Sequence, residues 1–144
     1  MTDSARGPYL EPTQDAARRY FSRGLVGPVV MLNLLRFRKV ADYSATPALA
    51  PAVPISGAEA YERYIAHTRP FLEEAGGELS FLGQGGEYLI GPPDERWDLV
   101  LLVRHRSPAS FLSFASNEAY LSGLGHRLAA IEDSRLLPLL EEAR

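Results

Sequence analysis

Two periods of apolar residues alternate along this chain, and their order outlines the fold. Residues 1–12 carry Gly7, Pro8 and Pro12 without any period and read as an arm. Thr13 is a helix N-cap, followed by Asp15 in the first turn and by Ala16, Ala17, Tyr20, Phe21 and Leu25 on one face. That helix is expected to pack on the outside of the main body. The run from Val29 to Phe37 is apolar on both parities, the pattern of a buried central strand. Ser56-Gly57-Ala58-Glu59 is a capping box, and the stripe Tyr61, Tyr64, Ile65, Thr68, Phe71, Leu72, Ala75 predicts a long helix ending at Gly76-Gly77, kinked by Pro70. Residues 78–90 predict two strand pieces joined by a bend at Gly83-Gln84-Gly85-Gly86, paired as a hairpin with a second apolar strand over 97–106. Ser107-Pro108 opens another helix, which pauses near Ser116-Asn117 and continues through Leu121, Leu124, Leu128 and Ile131. A short last strand follows from Ser134, with Pro138 placing it at a sheet edge.

After the extra N-terminal helix the order is β-α-β-β-α-β. That is the ferredoxin-like α+β pattern, a four-stranded sheet with both helices on one face. Strands apolar on both sides need a second cover, and another copy of the chain is the simplest one, so a homodimer is expected. The organisation expected is an arm and helix over 1–26 and a ferredoxin-like α+β barrel domain over 27–144. The loop 44–55 holds three prolines and no charge. A binding lid and a plain surface insertion both stay open for it.

Composition narrows the chemistry by exclusion. The 144 residues include no cysteine, which removes disulfides, thiolate metal sites and cysteine nucleophiles. A net charge of −3 gives little support for nucleic-acid binding. No apolar run approaches the roughly 20 residues that span a bilayer, and the N-terminus lacks a signal-peptide core, so a cytoplasmic location without membrane contact is expected. The three histidines have no metal-ligand spacing, and neither a nucleophile elbow nor a P-loop is present. Neither a metal nor a cofactor is expected.

Four blocks in order carry a resemblance. They are Met31-Leu32-Asn33-Leu34-Leu35-Arg36-Phe37, Ser56-Gly57-Ala58-Glu59-Ala60-Tyr61, Trp97-Asp98, and His126-Arg127-Leu128-Ala129-Ala130 with Asp133-Ser134. Together, over about residues 27–140, they resemble the domain-of-unknown-function 1330 family. The resemblance implies a dimeric α+β barrel in which two ferredoxin-like sheets pack face to face. Relatives in that superfamily include cofactor-free monooxygenases, lactone and muconolactone isomerases, haem-degrading enzymes and dye-decolourising peroxidases; the family itself has no established reaction.

The candidate site residues each carry two readings. Asn33 is polar within an apolar strand and is either a donor to a substrate carbonyl or a partner of nearby backbone. Strand parity sends Arg36 to the other face, as a substrate anchor or an interface ion pair with Asp98 or Glu132. Tyr61 and Tyr64 share the inward helical stripe, as core residues or ligand contacts. His67 is expected in solvent. His126 is a candidate general base, although helical spacing turns it away from the buried leucines. Arg127 flanks the buried face and is a candidate anion anchor, with Asp133 a candidate partner. Trp97 either braces the hairpin or forms an aromatic wall for a ligand. The function expected is a small-molecule-binding protein, in one version a cofactor-independent enzyme of monooxygenase or isomerase type acting on a small organic acid or ring compound. The alternative is a non-catalytic homodimeric binding or assembly module.

Overall fold

All but the last of the helices begin where a side chain can satisfy the amides that the first turn leaves open. The computed structural model describes residues 8–142. Thr13 caps α1 (Gln14–Phe21), Ser56 and Glu59 close a reciprocal capping box on α2 (Gly57–Glu74), and Ser107 caps α3 (Pro108–Ala115). Asn117 accepts from the amides of Ala119 and Tyr120 and starts the single turn α4 (Glu118–Leu121). Gly123 then opens α5 (Leu124–Ala130). The strands are β1 (Val29–Phe37), β2 (Glu78–Glu87), β3 (Arg96–His105) and β4 (Ile131–Leu139), and the loop after β1 contains a 3₁₀ turn at Pro47–Leu49.

The strands form one antiparallel sheet in the order β2-β3-β1-β4, the ferredoxin-like arrangement. β1 lies in the interior of the sheet as its pattern predicts, and Pro138 lies on the edge strand β4. Leu35, Leu99, Leu101, Val103 and Ile131 meet Ala60, Tyr61, Tyr64 and Ile65 of α2 in the main core. The opposite sheet face carries Leu32, Leu34, Val100, Leu102, Leu137 and Leu139, none of them fully buried. α1 packs outside the body through Phe21, whose ring stacks on Phe111 of α3 at 6.4 Å.

Several boundaries differ from the sequence reading. β2 is one continuous strand through Gly83 and Gly86, with its irregularity earlier, between Leu79 and Phe81. Pairing with β3 along its whole length outweighs the low strand propensity of glycine. Residues 88–90 leave the strand, and Leu89 is fully exposed. The last helix stops at Ala130 and β4 starts at once with Ile131, earlier than Ser134, because Ile131 pairs with Phe37 and is fully buried. α1 is shorter than its apolar stripe and ends before Leu25.

Candidate functional site

The register decides which of the proposed residues can meet. Asn33 pairs with Leu101 and Leu35 with Leu99, so Asn33 shares the helix-facing side of the sheet with the core leucines. Its amide nitrogen donates to the Met31 carbonyl at 3.2 Å, a local contact that leaves its oxygen uncommitted among the described residues. Arg36 is on the other face, paired across the strands with Asp133.

Behind Asn33's side of the sheet, α2, α4 and α5 gather a set of polar aromatic groups. The hydroxyls of Tyr64 and Tyr120 lie 2.7 Å apart, and the Tyr61 and Tyr64 rings lie 5.1 Å apart. The Tyr61 side chain is buried and within hydrogen-bonding reach of the Arg127 guanidinium. Burial raises the pKa of Tyr61 and of Tyr120, and the neighbouring Tyr64 adds to both, so both hydroxyls stay protonated at any ordinary pH. Arg127 donates to the Leu10 carbonyl at 2.6 Å and reaches Ser134 Oγ at 3.5 Å. It therefore ties the N-terminal arm, α5 and β4 together.

His126 is not turned to solvent. The break at Gly123 re-aims α5, and Nδ1 of His126 lies 2.7 Å from the Tyr43 hydroxyl. Burial, with the charges of Arg63 and His67 behind it, lowers the His126 pKa, while burial raises that of Tyr43. A neutral imidazole therefore shares a hydrogen bond with a protonated phenol. His67 likewise departs from the expectation of solvent: its Nε2 lies 2.8 Å from the Ala119 carbonyl, and its ring packs on Gly123, where a Cβ would collide with it.

Arg36 and Trp97 belong to a separate group. Arg36 donates to Glu132 at 2.8 Å and Asp133 at 3.4 Å, and lies 5.6 Å from the Trp97 ring centre. Asp98 forms no bond with Arg36; its carboxylate takes the Phe37 amide at 2.8 Å. Arg135 packs on Trp97 at 5.1 Å and on Tyr9 at 4.7 Å. The indole nitrogen donates to the Tyr88 hydroxyl, which donates to Glu95, so Trp97 braces the β2–β3 hairpin. Asp133 pairs with Arg36 and Arg135 rather than with Arg127, since strand parity turns its carboxylate away from α5. Burial acts to raise its pKa, but the amides of Tyr9 and Ser134 and the Arg135 guanidinium outweigh that and hold it below the usual range. Arg36, Trp97 and Asp133 thus all have partners within the protein.

A groove of about 460 Å³ lies elsewhere, between the arm, the start of the loop after β1 and the end of α5. Leu10, Arg38, Asp42 and Leu128 line it. The space between the helices and the sheet is lined by these tyrosines, and the groove lies beside α5. Tyr43, Tyr120 and Arg38 were not singled out in the sequence, since they sit in loop or single-turn segments where periodicity gives no signal. Among the described residues no three His, Asp or Glu side chains gather as a metal site, and no helix is long and apolar enough to cross a membrane.

The topology and the one-sided helical layer define a ferredoxin-like α+β protein. Two solved structures extend this to the family. The chain is 35% identical to the methylated RPA0582 protein, over 94% of this chain and 96% of that one, with a TM-score of 0.83. It is 34% identical to the RPA0582 protein of unknown function from Rhodopseudomonas palustris, over 96% of this chain and 100% of that one, with a TM-score of 0.84. The chain belongs to the same family as RPA0582. No protein-family model and no curated protein matches it.

Proposed function

We propose that the protein is a homodimeric small-molecule-binding protein of the domain-of-unknown-function 1330 type, acting without a cofactor on a small organic acid or ring compound. The observation that carries this reading is the gathering of the Tyr61, Tyr64 and Tyr120 hydroxyls and the Arg127 guanidinium between the helices and the sheet. Buried polar groups persist where they are hydrogen-bonded, and here their mutual bonds hold several hydroxyls and one guanidinium in fixed positions that a ligand could meet. In this reading Asn33 polarises a carbonyl oxygen, Arg127 anchors an anion, and Tyr64 supplies a hydroxyl. Tyr43 and His126 form a dyad through which a proton passes, in monooxygenase- or isomerase-like chemistry. Arg36 and Trp97 support the open sheet face rather than the substrate. That apolar face supports the homodimer, since a second copy would cover it.

Tyr64→Phe and Asn33→Ala separate a working site from a structural one. A working site loses ligand binding or turnover about tenfold or more, with the melting temperature little changed. Loss of thermal stability with unchanged binding of small cyclic acids would show that the tyrosines are core, and would leave the non-catalytic module as the correct reading.

A further inference from the structure

The groove outside α5 has walls of mixed character and one polar atom with no partner. Its floor is built on an unusually fixed residue. The Arg38 amide donates to the Ala130 carbonyl at 2.8 Å, and its carbonyl accepts from the Gly57 amide at 3.1 Å, so the end of β1, the start of α2 and the end of α5 are pinned at this point. The Arg38 side chain lines the groove, and its Nε is enclosed with no hydrogen-bond partner. A guanidinium N–H left without an acceptor is a cost, and a carboxylate in the groove that draws the guanidinium outward would remove it.

The remaining charges in the groove are acidic. The Ser44 hydroxyl lowers the Asp42 pKa, helped by the Ser44 amide, which donates to the carboxylate at 3.0 Å, so Asp42 stays ionised at neutral pH. Glu11 stands on the arm side and makes no ion pair among the described residues. A simple anion would meet Arg38 but also two carboxylates, and a simple cation would leave Arg38 Nε dry. Leu10, Leu128 and Ala129 supply the apolar part of the wall. The volume falls within the range of small-ligand sites, roughly 300–1,000 Å³.

We infer that this groove binds a small zwitterion with an apolar body, of the α-amino-acid type, its carboxylate on Arg38 and its ammonium towards Asp42 and Glu11. The inference is independent of the tyrosine layer: the groove shares none of its lining with Tyr61, Tyr64 or Tyr120. Because the Arg38 backbone is already pinned by β1, α2 and α5, binding orders little beyond the side chain itself.

The test is calorimetric titration of the full chain with L-leucine, isovalerate and isoamylamine, with amide chemical shifts followed by NMR. Expected is saturable leucine binding tighter than about 1 mM, with both single-charge analogues at least about tenfold weaker. The shifts should centre on residues 42–46 and on Leu10. Arg38→Gln, which keeps the pinned backbone, should abolish binding, and Tyr64→Phe should leave it intact. Binding of isovalerate as tight as leucine, no binding of any of the three, or shifts confined to Tyr61, Tyr64 and Tyr120 would each overturn the inference. The last result would leave the tyrosine layer as the site.

Discussion

His105 shows how one side chain links packing to pH. It is 2% exposed, lies against the rings of Phe111 and Phe114, and its Nδ1 has no partner. Burial brings its pKa down from 6.5 to about 4. The folded protein therefore holds the neutral ring, and the unfolded chain takes up a proton first as the pH falls. The stabilising contribution is complete above 6.5 and lost on descending to about 4, a loss of about 3 kcal/mol over that window. Urea unfolding of wild type and His105→Phe across this range should show a steeper decline for wild type; parallel curves would show that His105 is not buried as described. This role is not legible in the sequence, because a lone histidine ending an apolar strand looks the same whether it is solvated or enclosed. Asn33 was more legible: strand parity alone placed it opposite Arg36, and the register agrees.

Among the elements, α5 illustrates what periodicity misses. Read as one stretch from the pause at Ser116-Asn117 to Ile131, its leucine stripe turns His126 outward; broken again at Gly123, the last segment rotates and His126 meets Tyr43. The breaking residues were visible, yet the new direction depends on tertiary packing that no local pattern encodes. α2 offers the converse case. Its capping box announced the start, but the reason for glycine at position 57 is spatial, since a Cβ there would collide with the carbonyls of Arg38 and Ala130. Gly57→Ala is expected to destabilise the protein by about 2 kcal/mol or more despite the better helix propensity of alanine. A thermal melt decides this: an unchanged or raised midpoint would mean that α2 shifts outward without cost.

For the molecule as a whole, the sheet order followed from alternating periods because ferredoxin-like connections leave few topologies open. The volume available to a ligand did not follow, since a groove depends on how an arm without any period lies against α5. The open face of the sheet leads to a further expectation. Leu34 and Leu102 lie on it in β1 and β3, the two interior strands. Leu102→Glu should convert a dimer into a monomer in light scattering after gel filtration, with little change in secondary structure, because a carboxylate there cannot be buried against a second copy. Wild type eluting as a monomer would remove the dimer from the reading.

The arm has a bearing on the order in which the chain acquires its structure. Tyr9 gives its amide to Asp133 at 2.8 Å and takes the Ser134 hydroxyl on its carbonyl, while Leu10 receives Arg127. These partners lie 117 to 125 residues away along the chain. They come into position only once β4 has joined β1 and α5 has formed. Closing so long a loop early would bring no reward, so docking of the arm falls among the last folding events and its release among the first unfolding ones. The Tyr9 amide, in a segment with no secondary structure of its own, then reports this step by hydrogen exchange: protected in the folded chain, and opening without exposure of the sheet amides.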